Sequence, residues 1–131
     1  MAASPIPEEI RRFVLTSIPS VPHLEALLLL RTHEGEAWLA EVLAARLYIS
    51  DKVAAGVLDD LCNSGMAVEL EAEGGKLAYR YQPGTLRLRG AVDQLAGLYS
   101  RYLLEITHLI HSKLDRKAQQ FADAFKWRKD S

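Results

Sequence analysis

The stretch LAARLYIS, Leu43 to Ser50, and its continuation DKVAAGVLDDLCNSG, residues 51–65, decide the fold. Ala40 to Leu47 reads as a short helix with Val42, Leu43 and Leu47 turned inward. Tyr48 and Ile49 leave room for only a tight connection. Ser50 is a helix cap by residue type, because its hydroxyl can accept from the first free N–H groups of the helix it starts. That helix is predicted from about Asp51 to Ser64, with Val53, Val57, Leu58 and Leu61 as its inner stripe and Gly65 as its stop.

The elements around this core follow the same local signals. Upstream, Glu8 to Ser17 reads as a short helix, with Pro7 in its first turn and Ile10, Phe13 and Val14 on one face. Ser20 caps a second helix, with Pro22 in its first turn; Leu24, Leu27, Leu28 and Leu30 make it broadly apolar, hence buried, and it ends near His33–Gly35. Trp38 and Leu39 form a brief strand. Downstream, Met66, Val68 and Leu70 alternate with Ala67, Glu69 and Glu71. Leu77, Tyr79 and Tyr81 alternate with Ala78, Arg80 and Gln82. This period-two pattern on both sides of Gly74–Gly75 predicts a hairpin, closed by Pro83–Gly84.

From Arg87 to Lys113 one long helix is expected. Val92, Leu95, Tyr99, Tyr102, Ile106 and Leu109 repeat at three and four residues, a heptad seam that suits pairing with a second copy. Asp115 to Trp127 is a weaker amphipathic stretch. In it Ala118, Phe121, Ala122 and Phe125 share a face among Arg116, Lys117, Lys126, Arg128 and Lys129.

Helix, short strand, helix, tight turn, helix and hairpin is an order that resembles the winged helix-turn-helix regulators of bacteria, of the MarR-, PadR- and ArsR-like type. The residues from Leu43 to Gly65 carry the resemblance. Leu58, Leu61 and Gly65 fall 8, 11 and 15 residues after Ser50. The resemblance places Ala44 where the two helices touch, Ile49 as the plug of the turn, and Val68 to Gln82 as the wing. It also puts Tyr48 at a turn position that such regulators usually fill with Gly.

The resemblance implies a mainly α (α+β) fold: an N-terminal helical arm over 1–19, a winged helix-turn-helix with a two-stranded wing over 20–83, a long dimerisation helix over 84–113 and a basic tail over 114–131. It implies a homodimer that binds DNA, with Arg46, Ser50, Lys52, Lys76 and Arg80 as contacts. Val92, Leu95, Tyr99, Tyr102, Ile106 and Leu109 would form the dimer interface. The alternative is a winged-helix protein-interaction module without DNA binding, using its acidic head or its aromatic, basic tail. For Tyr99 and Tyr102 a stacked ligand is the alternative to an interface.

Charge bears on that choice. The 131 residues carry a net −1, which excludes binding by bulk positive charge and demands a local patch. Residues 20–82 hold five basic against ten acidic residues, a net of −5, whereas 83–131 hold nine against five. On the second helix of the motif the outward positions would be Asp51, Lys52, Ala55, Gly56, Asp59 and Asp60. Base edges are usually read by Arg, Lys, Asn or Gln, and three carboxylates there would face phosphates.

Other chemistries find little support. A hydrophobic share of 49% with 25% charged residues describes a globular chain. The single cysteine, Cys62, excludes an intrachain disulfide and reads as a packing residue. Apolar runs such as Leu27–Leu30 fall far short of the roughly 20 residues of a membrane span, and no export signal precedes Pro7, so the expected location is cytoplasmic. His108 and His111 have metal-pair spacing but lack a third ligand, so no metal or other cofactor is expected. No phosphate loop, nucleophile pair or carboxylate dyad is present, so an enzyme is not expected.

Overall fold

The computed structural model describes residues 5–112. The helices are α1 (Glu8–Ser17), α2 (Val21–Thr32), α3 (Ala40–Leu47), α4 (Asp51–Asn63) and α5 (Leu86–Arg101), with a sixth, α6, over residues 103–112. Three short strands, β1 (Trp38–Leu39), β2 (Ala67–Glu71) and β3 (Leu77–Tyr81), form one antiparallel sheet in the order β1-β3-β2. The expected wing of two strands is thus extended by β1, which pairs Trp38 with Tyr79.

Local chemistry sets most boundaries. Ser20 and Ser50 both cap: their hydroxyls accept from the N–H of His23 and Val53, each three residues on. The hairpin turns through Gly74 and Gly75, both at φ +75°, a conformation that costs other residues steric strain. The loop is clasped by Ala72 N–H donating to the Lys76 carbonyl at 2.7 Å.

The core is one cluster. Leu24, Leu27 and Leu30 of α2 lie fully buried at its centre, with Leu43 of α3, Leu58 and Leu61 of α4, Tyr81 of β3, and Val92 and Leu95 of α5 around them. Two ion pairs hold α5 to α2 and the turn that follows it: Arg31 Nε to Asp93 Oδ1 at 2.9 Å and Arg89 Nη2 to Glu34 Oε1 at 2.7 Å. Arg89 also lies over the Tyr81 ring, 5.5 Å from its centroid.

Three expectations are corrected. Val42 and Val53 do not face inward; they are 45% and 46% exposed, and Ala54 takes the buried place beside the α2–α3 layer. The long helix from Arg87 to Lys113 is broken at Tyr102 (φ −128°, ψ 45°), with α5 ending before it and α6 starting after it. No Gly or Pro lies between Leu98 and Ser112, so no local breaker marks the place. The break brings Ile106 and Ile110 into the same buried cluster as Ile6, Ile10 and Val14 of the α1 region. The predicted seam is consumed in the same way. Val92, Leu95 and Ile106 are fully buried within the chain, and Tyr99, Tyr102 and Leu109 are half-buried, so no continuous apolar stripe remains exposed. Lys113 and the basic stretch after it lie outside the described residues.

Candidate nucleic-acid interface

The motif is built from α3, a turn and α4. The Tyr48 and Ile49 N–H groups both donate to the Ala44 carbonyl, which closes α3 and throws the chain into α4 within two residues. Ala44 is buried, as a small residue must be where two helices touch, and Ile49 packs against the core as the plug of the turn. The hairpin follows α4 directly. The fold is a winged helix-turn-helix.

Comparisons with solved structures show chains similar to this one. They include Rv1404 from Mycobacterium tuberculosis (17% identity, TM-score 0.49, over 86% of this chain and 69% of that one). They also include a MarR family protein from Bacillus stearothermophilus (16%, TM-score 0.47, 88% and 84%) and the adhesin competence repressor AdcR from Streptococcus pyogenes (15%, TM-score 0.47, 88% and 89%). No family model matches the chain, and no curated protein does. The winged-helix reading therefore rests on this chain's own element order, strand pairing and turn.

Ala54, Val57, Leu58 and Leu61 bury one side of α4. At 100° per residue the opposite side carries Lys52, Gly56, Asp59 and Asn63, all exposed. Two carboxylates, Asp59 in this row and Asp60 beside it, are engaged by the fold itself. Tyr79 of β3 donates its hydroxyl to Asp59 Oδ1 at 3.3 Å. His23 of α2 meets Asp60 Oδ2 through Nε2 at 2.8 Å, while its Nδ1 lies 2.6 Å from the Ser20 hydroxyl. An ionised carboxylate only accepts, so the neutral ring carries its proton on Nε2 and accepts from Ser20 through Nδ1. The His23 side chain is only 12% exposed, which makes this chain a tether between the start of α2 and the last turns of α4. Asp51 stays in the first turn of α4, where the helix dipole favours a negative charge.

The five proposed DNA contacts fall in three places. Ser50 caps α4, and Lys52 stands two residues on, in the first turn, exposed and without an ion-pair partner among the described residues. Lys76, at the wing turn, is drawn to Glu41 of α3, Nζ to Oε1 3.3 Å. Arg80 of β3 donates to Gln82 Oε1 at 2.9 Å. Arg46 of α3 lies over the Trp38 ring, 5.5 Å from its centroid. Among the described residues no hydrogen bond or ion pair joins any two of the five.

Tyr48 is the residue that the spacing of charges does not reveal. It is 93% exposed and sits at φ +57°. Its signal in the sequence is the aromatic at a turn position that usually holds Gly.

Cys62 is half-buried, and burial, then the Glu69 and Asp59 carboxylates, push its thiol pKa up, away from a reactive thiolate. Two open concavities lie on the helical end: about 620 Å³ between α1 and the start of α5, and about 650 Å³ lined by Ile6, Arg11, Leu104, Glu105, His108 and Leu109. Tyr99 and Tyr102 line neither of them. Among the described residues no group of three or more His, Cys, Asp or Glu is placed to hold a metal.

Proposed function

We propose that the chain is a transcription regulator that binds duplex DNA through a small patch at the start of α4 and acts in the cytoplasm as a homodimer. One observation carries the reading. Asp59 and Asp60, which the sequence leaves facing a phosphate backbone, are tied to Tyr79 and His23, and the outward row of α4 presents Lys52, Gly56 and Asn63, with the tied Asp59, beside the Ser50 cap. The patch is thin, since one lysine supplies its free charge, so affinity is modest and salt-sensitive.

A fluorescence titration of labelled duplex tests it. Binding at about 50 mM salt that falls steeply toward about 200 mM and vanishes in Lys52→Glu supports the reading; no binding at the lower salt refutes it. The homodimer would use the outer face of α6, where Leu103 and Leu104 are 49% and 79% exposed, in place of the buried seam. Sedimentation at about twice the 14.6 kDa chain mass, reduced to that mass in Leu104→Glu, supports that surface.

One observation favours a second reading, a protein-interaction module: the head from Ser20 to Gln82 carries a net −5 and exposes Tyr48 and Val53 beside α4. That module would bind a partner protein with no duplex affinity at all.

A further inference from the structure

We infer that Tyr48 is a DNA-backbone contact, its phenol donating to a phosphodiester oxygen next to the start of α4. The inference rests on the DNA-binding reading and adds to it a neutral contact that charge counting misses.

Tyr48 is the one non-glycine residue at positive φ among the described residues. In the left-handed region the Cβ crowds the following carbonyl, so Gly would close this turn with less strain. Its backbone duty, donating N–H to the Ala44 carbonyl, is one that Gly performs equally well. The side chain returns nothing to the fold: it is 93% exposed, and among the described residues its hydroxyl has no hydrogen-bond partner. A residue that strains its turn and packs on nothing points to a use outside the chain.

Position names the ligand chemistry. Tyr48 stands two residues before the Ser50 cap and four before Lys52, on the connection that leads into the outward row of α4. A phenol is a neutral donor of the kind that contacts phosphate and sugar rather than base edges. Such a donor suits a head whose basic side chains other than Lys52, namely Arg31, Arg46, Lys76 and Arg80, are engaged by Asp93, Trp38, Glu41 and Gln82.

A neutral donor and a cation leave different signatures. Only the cation displaces a counterion, so only its loss flattens the salt dependence. Wild type, Tyr48→Phe, Tyr48→Gly and Lys52→Ala are compared on two unrelated duplexes between about 50 and 200 mM salt, with thermal unfolding of each protein.

Tyr48→Phe is expected to weaken binding about ten-fold, equally on both duplexes, with the salt slope unchanged. Lys52→Ala weakens binding and reduces the slope by about one. Tyr48→Gly weakens binding at least as much as Phe while raising the unfolding midpoint by about 2–4 °C, because the turn is relieved. Stability and affinity moving in opposite directions is an outcome that a purely structural role does not produce. Wild-type affinity in both Tyr48 variants, with Lys52→Ala impaired, overturns the inference and leaves the DNA reading standing. A loss confined to one duplex overturns the backbone assignment in favour of a base contact. Absence of wild-type binding overturns the DNA reading and this inference together.

Discussion

The outer face of α4 and the seam of α5 and α6 look alike as sequence: each is a periodic row of side chains offered to something outside the chain. The structure engages part of each row within the chain, with opposite consequences. At the seam, Val92, Leu95 and Ile106 are buried in the chain's own core, which removes an attraction to a second copy. On α4, Asp59 and Asp60 are held by Tyr79 and His23, which weakens a repulsion toward DNA. Helical periodicity identifies a face; it does not say which surface meets that face.

The largest expected effect tests the seam. Ile106→Glu buries an unpaired charge in a close-packed site, so the folded chain should lose about 3–5 kcal/mol in denaturant unfolding. Were Ile106 instead at a partner's surface, the variant would keep its unfolding midpoint and lose only half its sedimentation mass. That result would break the comparison at its first half.

The second half is tested at His23. His23→Ala removes the hydrogen bonds to Asp60 and Ser20 and should cost about 1–2 kcal/mol. It also frees the Asp60 carboxylate to turn toward the outer face of α4, so duplex affinity should fall a few-fold more than stability alone explains. Wild-type affinity in a folded His23→Ala protein would show that Asp60 is irrelevant to what α4 binds.

A smaller effect sits within the outward row. A Cβ added at Gly56 meets nothing within 4 Å, so no packing requires glycine there. Gly56→Ala should therefore stabilise the chain by about 1 kcal/mol, read as a raised unfolding midpoint. A loss of duplex affinity in the same variant would show that the glycine serves close approach of the ligand.

The smallest effect is the Glu34–Arg89 pair that binds the turn after α2 to α5. The Arg89 hydrogen bond, opposed by desolvation and aided by the guanidinium charge, holds the Glu34 carboxyl below its ordinary value. A carboxylate whose folded pKa is depressed stabilises above its unfolded pKa and loses that contribution as pH falls through the folded one. Glu34→Gln should thus be slightly less stable than wild type near neutral pH and converge with it in acid. A constant difference at all pH values would assign the effect to packing.

Much of this fold was legible because its signals are local. The bounds of α1 and α3, the caps Ser20 and Ser50, the strand at Trp38–Leu39 and the turn at Gly74–Gly75 each follow from a residue type and its near neighbours. What was not legible depends on contacts distant in sequence. His23 and Asp60 are 37 residues apart, and Asp59 and Tyr79 are 20 apart. The break at Tyr102 has no Gly or Pro to announce it and follows from how Ile106 and Ile110 pack near Ile6 and Ile10. Val42 and Val53 pass a residue-type test for burial and fail it in space, since Leu43 and Ala54 fill the inner positions. Of the candidate site, Ser50 and Lys52 were readable from the cap and the helix that follows it. The engagement of Arg46 and Lys76 was not, because their partners, Trp38 and Glu41, lie on other elements; Arg80 meets Gln82 only two residues on, a pairing set by rotamers rather than by residue type.

The most direct test of the central claim is amide chemical-shift mapping of the isotope-labelled chain during titration with a short duplex at low salt. The account predicts shifts concentrated from Tyr48 through Gly56 and absent from α6. Shifts confined to the Leu103–Leu104 surface, or none anywhere, would contradict it.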